Sequence, residues 1–82
     1  ADFLGAMNWI DGTGVRPEAV SICAEGRKAV VTSVTYLGSF CHIATTLVEG
    51  GQAVLAQAPA GSAYQPGQTV CVTWNSEDEV RL

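Results

Sequence analysis

The feature that most limits what this chain can become is alternation. Ala19 to Cys23 sets Val20 and Ile22 against Ser21 and Cys23, and the runs Val30–Leu37, Phe40–Val48, Ala53–Ala58 and Thr69–Trp74 repeat the habit with a high density of β-branched residues. Successive side chains of a strand point to opposite faces, so each run offers one apolar face and one mixed face. Turn residues separate the runs at short intervals: Glu25-Gly26, Gly38-Ser39, Glu49-Gly50-Gly51, Pro59-Ala60-Gly61-Ser62 and Gln65-Pro66-Gly67-Gln68. The clearest hairpin joins Phe40–Val48 to Gln52–Ala58 through Gly50 and Gly51, which supply the positive φ a tight turn needs. With no stretch of helical period, the pattern predicts an all-β barrel or sandwich of about five short antiparallel strands.

Size and charge narrow the functions open to such a fold. At 82 residues the chain is expected to be a single domain spanning 1–82, and 48% hydrophobic against 15% charged residues gives it enough apolar surface to fold. The net charge is −4, and the four cations are scattered, which argues against nucleic acid as a partner because that affinity comes from clustered Lys and Arg. No run approaches the ~18 apolar residues of a membrane span, and the opening Ala-Asp-Phe-Leu lacks the basic and apolar regions of a signal peptide. The expectation is a cytoplasmic protein. A first residue that is not Met, two positions from the apolar Phe3-Leu4, further suggests a chain that starts partway along something longer.

Reaction machinery is sparse. There is no phosphate loop, no G-x-S-x-G elbow, no H-E-x-x-H and no calcium-loop pattern. Gly12-Thr13-Gly14 is broken as a dinucleotide loop by the absence of a third glycine and of a preceding strand, and reads as a turn. A zinc site would need Cys23, Cys41, His42 and Cys71, yet Cys41 and His42 are adjacent on one strand and face opposite ways, while Cys23 and Cys71 fall on the polar phase of theirs. Three cysteines also make no closed disulfide framework, so they read as reduced thiols. The same opposed facing denies Cys41 a nucleophile–base pairing with His42, the only histidine, which reads as a surface or cross-strand residue. The tail Ser76-Glu77-Asp78-Glu79 has capping-box spacing with Ser76 at the cap, and reads as one solvated turn. Among the aromatics, Trp74 is in phase with Val70 and Val72 and is expected in the core, whereas Tyr64 is the better candidate for an exposed contact. No catalytic residue, bound cofactor or metal is expected in this chain.

Four stretches in order carry a resemblance. Phe3-Leu4-Gly5 with Asn8, then Val15-Arg16-Pro17-Glu18, then Tyr36-Leu37-Gly38-Ser39, then Pro66-Gly67-Gln68 with Val70, Trp74 and Asp78 resemble the transport-associated OB domain, called TOBE. Each stretch also has a bare physical reading. Pro17 holds Arg16 extended and makes a rigid corner flanked by opposite charges, Arg16 and Glu18. Gly38 permits the sharp turn or bulge a small barrel needs, and Gly67 does similar work before the last strand.

The resemblance implies an OB-like barrel that forms the C-terminal accessory part of the ATP-binding subunit of a bacterial ABC importer, in the polyamine, ferric-iron or phosphonate-like branch. It implies motif positions with structural or interface roles at Asn8, Arg16, Pro17, Glu18, Tyr36, Gly38, Ser39, Gly67, Trp74 and Asp78. ATP and Mg would then bind the parent's separate nucleotide-binding domain. That domain, a second copy of the subunit and the membrane permease subunits would be the partners, with the complex peripheral to the inner membrane. Members usually carry more residues between the Asn segment and the V-R-P-E corner than the Trp9–Gly14 present here, so the barrel is expected to be completed by a partner or by residues missing near Gly12–Val15. A small oxyanion module of the molybdate-binding kind is the alternative. Asn8 and Gly12 are in place for it, but Gly5-Ala6-Met7 stands where Ser-Ala-Arg precedes the Asn in those domains.

Overall fold

The computed structural model describes residues 7–10 and 12–81; Phe3, Leu4 and Gly5 lie outside the described residues. Eight strands follow one another: β1 (Asn8–Ile10), β2 (Thr13–Val15), β3 (Ser21–Cys23), β4 (Arg27–Tyr36), β5 (Phe40–Leu47), β6 (Ala53–Pro59), β7 (Thr69–Thr73) and β8 (Glu79–Arg81). Only two single 3-10 turns, Pro17–Ala19 and Ser76–Asp78, interrupt them, and no α-helix occurs among the described residues.

The five alternating runs form one antiparallel sheet in the order β3-β7-β4-β5-β6. β5 shows the reason most plainly. Its burial switches at every residue, putting Cys41, Ile43, Thr45 and Leu47 inside and Phe40, His42, Ala44 and Thr46 on the outer side. Cys41 and His42 therefore do face opposite ways. The turn into β6 has Gly50 at φ +87° and Gly51 at φ +71°, which leaves Leu47 N–H free to donate to the Gln52 carbonyl at 2.8 Å.

Three further strands lie outside the five-strand expectation. β1, β2 and β8 make a second sheet in the order β1-β2-β8. Gly12-Thr13-Gly14 is accordingly not a simple turn without a preceding strand: Thr13 and Gly14 belong to β2, and Ile10 of β1 stands opposite Thr13. β1 and β2 pair antiparallel, with Asn8 opposite Val15 and Trp9 opposite Gly14. At the other end Ser76 caps nothing; Asn75 occupies the cap position without a side-chain bond, and the chain runs from the 3-10 turn into β8.

The sheets meet over one core. Ile10 and Val15 from the small sheet join Ala29, Val31, Ile43, Leu47, Val54, Ala56, Val70 and Val72 from the large one, with Val20 from the link between them. Burying an aliphatic side chain of this size stabilises by roughly 1.5–3 kcal/mol, and the alanines let the walls approach closely. The large sheet curls until its edge strands β3 and β6 come into contact, but they share no ladder, so the barrel is not closed. The turn Pro17–Ala19 packs on β6, with Pro17 buried. Pro17 bars helix at Arg16, which is extended at φ −74° and ψ 147°, and the strand expected from Ala19 consequently begins at Ser21.

A bulge shapes the long strand. The β4–β5 register shifts between Val31 and Ser33, and the Thr32 hydroxyl donates to the Ala44 carbonyl at 3.0 Å. The Pro66–Gln68 turn closes on β4 just before the bulge: Gly67 N–H donates to the Val31 carbonyl at 2.7 Å and Val31 N–H to the Gln68 carbonyl at 2.8 Å. β4 pairs with β7 only from Arg27 to Val30, so its far half continues with β5 alone to an exposed tip at Tyr36 and Leu37.

Candidate functional site

Four places collect the chemistry-bearing residues. The first is the seam beside β6. That strand has β5 on one side only, and on the other the Asn8 side chain takes the place of a neighbouring strand. Its Oδ1 accepts from Leu55 N–H at 2.7 Å and its Nδ2 donates to the Leu55 carbonyl at 2.8 Å. One amide thus satisfies both outward backbone groups of a residue that would otherwise be an open sheet edge. Asn8 is buried, and Pro17 lies against the same strand, so two of the expected motif positions meet here.

The second place is the end of β7. Trp74 is half-buried against the core, as its phase predicts, but its ring is also held by polar groups. Its Nε1–H donates to Glu79 Oε2 at 2.9 Å, and the Arg27 guanidinium lies 5.5 Å from the ring centroid. A charge-assisted hydrogen bond and a cation over the π face pin the indole from the edge and the face together. Asp78 stands one residue away in the exposed 3-10 turn, where its N–H donates to the Asn75 carbonyl.

The third is a cleft of about 850 Å3 between the start of β4 and the β5–β6 turn. Arg27 and Lys28 line one side, Val48, Glu49 and Gly50 the other, and Val48 N–H donates to the Lys28 carbonyl at 2.9 Å. Half of the chain's four cations stand here, in a protein of net charge −4. None of the motif positions lines this cleft. Sequence reasoning passed over it; the adjacent cations after Gly26 were the available signal, but not that the β5–β6 turn folds towards them.

The fourth is apolar and exposed. Trp9, Gly14 and Val80 are successive cross-strand neighbours on the outer face of the small sheet, and Trp9 and Val80 are each nearly half exposed. Gly14 lies under the Trp9 ring, where a Cβ would come within 3.0 Å of it. Tyr36, Leu37, Gly38 and Ser39 form the tip of the β4–β5 arm, with Gly38 at φ +97°. Arg16 and Glu18 are exposed either side of Pro17.

Among the described residues, His42 and Cys41 do not come together as a catalytic pair. His42 is half-buried on the outer side of β5 with its ring 5.6 Å from that of Phe40. Cys41 is in the core, its S–H directed at the Pro59 carbonyl. Among the described residues no group of three or more His, Cys, Asp or Glu gathers at metal-binding distance. Tyr64 corrects the expectation of an exposed loop contact: it is half-buried and packs on the core, because the Pro59–Pro66 loop folds back over the barrel.

Comparison with curated proteins finds no match. The family model of the TOBE domain matches residues 13–82, which takes in every strand from β2 onward and leaves β1 with Asn8 outside. Domains of this family are non-catalytic and typically stand at the C-terminus of ABC transporter ATPases. With the match running through both sheets and their shared core, the chain belongs to the TOBE domain family.

Proposed function

We propose that this chain is the accessory domain, residues 1–82, of an ABC importer ATPase subunit, and that it mediates contacts between subunits rather than chemistry. The observation that carries the reading is the TOBE match over residues 13–82. The sequence supports it by offering no phosphate loop and no nucleophile–base pair. ATP and Mg belong, in this reading, to a separate nucleotide-binding domain of the same polypeptide. The exposed Trp9–Val80 row and the Tyr36–Leu37 tip are the surfaces fitted to that domain and to a second copy of the subunit, since apolar groups left at the surface mark contacts. The polyamine, ferric-iron or phosphonate-like branch fits the V-R-P-E corner and the Gly-Gln, Trp, Asp ending. The complex would then sit on the cytoplasmic side of an inner membrane with its permease subunits.

Removing this domain from the whole subunit tests the proposal. ATP hydrolysis should remain while subunit association and solute uptake fall. If all three stay at the level of the intact subunit, the accessory role is wrong.

A second reading, a small oxyanion module, is favoured by one observation: Arg27 and Lys28 stand at the cleft opposite the Gly50 turn. Calorimetric titration with molybdate, sulfate and phosphonate separates the two. Heat at millimolar anion, abolished by Lys28→Ala, supports the module; no heat removes it.

A further inference from the structure

The sequence places Cys23 and Cys71 forty-eight positions apart, but the register of β3 on β7 sets them directly opposite each other. Residues facing across an antiparallel ladder project to the same side, with Cα atoms about 4.5 or 5.5 Å apart and Cβ atoms about 4.5–5.5 Å apart. A disulfide spans Cα separations of about 4.4–6.8 Å and Cβ separations of about 3.5–4.5 Å, so the backbone already stands within roughly 1 Å of bonding geometry. Cys23 is exposed and Cys71 half-buried; the Cys23 S–H donates to the Glu25 carbonyl at 2.9 Å, a bond it must give up to react, and Cys71 is its partner across the ladder. Cys41, the third cysteine, is in the core and takes no part.

From this geometry we infer that Cys23 and Cys71 form a reversible redox pair, closed by exchange with a small anionic disulfide of the glutathione class. The Cys23 thiolate attacks one sulfur of the incoming disulfide. The S–S bond breaks, its electron pair leaves on the second sulfur, and that sulfur picks up the proton Cys23 released. Cys71 then attacks the Cys23 sulfur of the mixed disulfide and expels the second small thiol in the same way. The protein loses two protons and two electrons, the equivalent of two hydrogen atoms, and one small disulfide becomes two thiols. Lys28 stands opposite Cys71 on β4, so the row reads Cys23, Cys71, Lys28 across three strands, and the ammonium draws an anionic reagent to the pair.

Closure has a mechanical consequence. β3 is an edge strand of only three residues, and its link to β4, residues 24–26, passes across β7 to reach the wall of the Arg27–Lys28 cleft. A bond from Cys23 to Cys71 ties both edge and link to the middle of the sheet. This inference does not depend on the transporter reading.

The test is exchange of the folded protein with millimolar glutathione disulfide, followed by alkylation, intact mass and peptide mapping without reduction. The expected product has lost the mass of two hydrogens, carries a Cys23–Cys71 cross-link, and outnumbers the mixed disulfide by at least about tenfold, because the second thiol is held in place. Cys41→Ala should cross-link unchanged, while Cys71→Ser should stop at a stable glutathione adduct on Cys23. A wild-type product that stays as the mixed disulfide, a bond to Cys41, or a cross-link between two molecules would overturn the pairing.

Discussion

The side-chain amide of Asn8 hydrogen-bonds both backbone groups of Leu55, accepting from its N–H at 2.7 Å and donating to its carbonyl at 2.8 Å. It thereby stands in for one rung of a missing strand at the open side of β6, and links the small sheet to the large one at the place where the barrel fails to close.

Asn8→Ala leaves two backbone groups of Leu55 without partners in a part-buried setting, at a cost of about 2–4 kcal/mol. A domain of this size has only about 5 kcal/mol to lose. Urea denaturation should therefore show a midpoint shifted far down, with the substituted chain partly unfolded in buffer. Asn8→Asp should recover less than half of the loss, because a carboxylate accepts from the N–H but repels the carbonyl. Wild-type midpoints for both variants would show that the bond carries no stability.

Among the described glycines, Gly26 has the least room for change. It sits at φ +139°, and a Cβ there would collide with the Val72 carbonyl. Gly26→Ala should destabilise by more than about 2 kcal/mol, combining the backbone conformation with the collision. Gly38→Ala, at φ +97° with nothing within 4 Å of the new carbon, should cost only about 1 kcal/mol. The two thermal midpoints, measured side by side, check the difference; equal losses would mean the contact with β7 is unimportant.

Much of the large sheet was legible in the residues. β5 and β6 could be read almost to their ends because eight and seven residues give several periods of alternation, and the Gly-Gly turn between them admits few conformations. The small sheet was not legible for the converse reason. Each of its strands has three residues, one full period at most, and Gly14 within β2 resembles a turn until its neighbour Trp9 is seen to cover it. Asp11-Gly12 is a recognised hairpin pair and was the signal available, flanked by too little chain to weigh against it. The position of Asn8 came from the resemblance, but its bond to Leu55 depends on which strand is left at the edge, a property of the assembled sheet. The facing of Cys23 and Cys71 depends likewise on register between strands far apart in the chain.

Trp74 and Glu79 should be energetically coupled through the indole N–H. In a double-mutant cycle of Trp74→Phe and Glu79→Gln, the interaction energy should come to about 1.5 kcal/mol, the lower end of the range for a bond to a charged group, since the site is only half-buried. Additive losses would mean that the ring is held by its apolar contacts alone.

The exposed tip offers a functional substitution separable from folding. Tyr36 and Leu37 are 61% and 46% exposed, so changing both to Ser should move stability by no more than about 0.5 kcal/mol each. In the intact subunit the same pair of changes should weaken self-association at least about tenfold by sedimentation, as expected where aromatic and aliphatic contacts anchor an interface. Unchanged association would remove the tip from the contact surface.

The central claim, that this TOBE domain serves an importer's ATPase, is tested most directly by sequencing the gene upstream of the codon for Ala1. The account predicts an open reading frame continuous with this chain that encodes a phosphate loop of the form G-x-x-x-x-G-K-[ST], followed by an ABC signature. An upstream frame without them, or one unrelated to nucleotide binding, would contradict it.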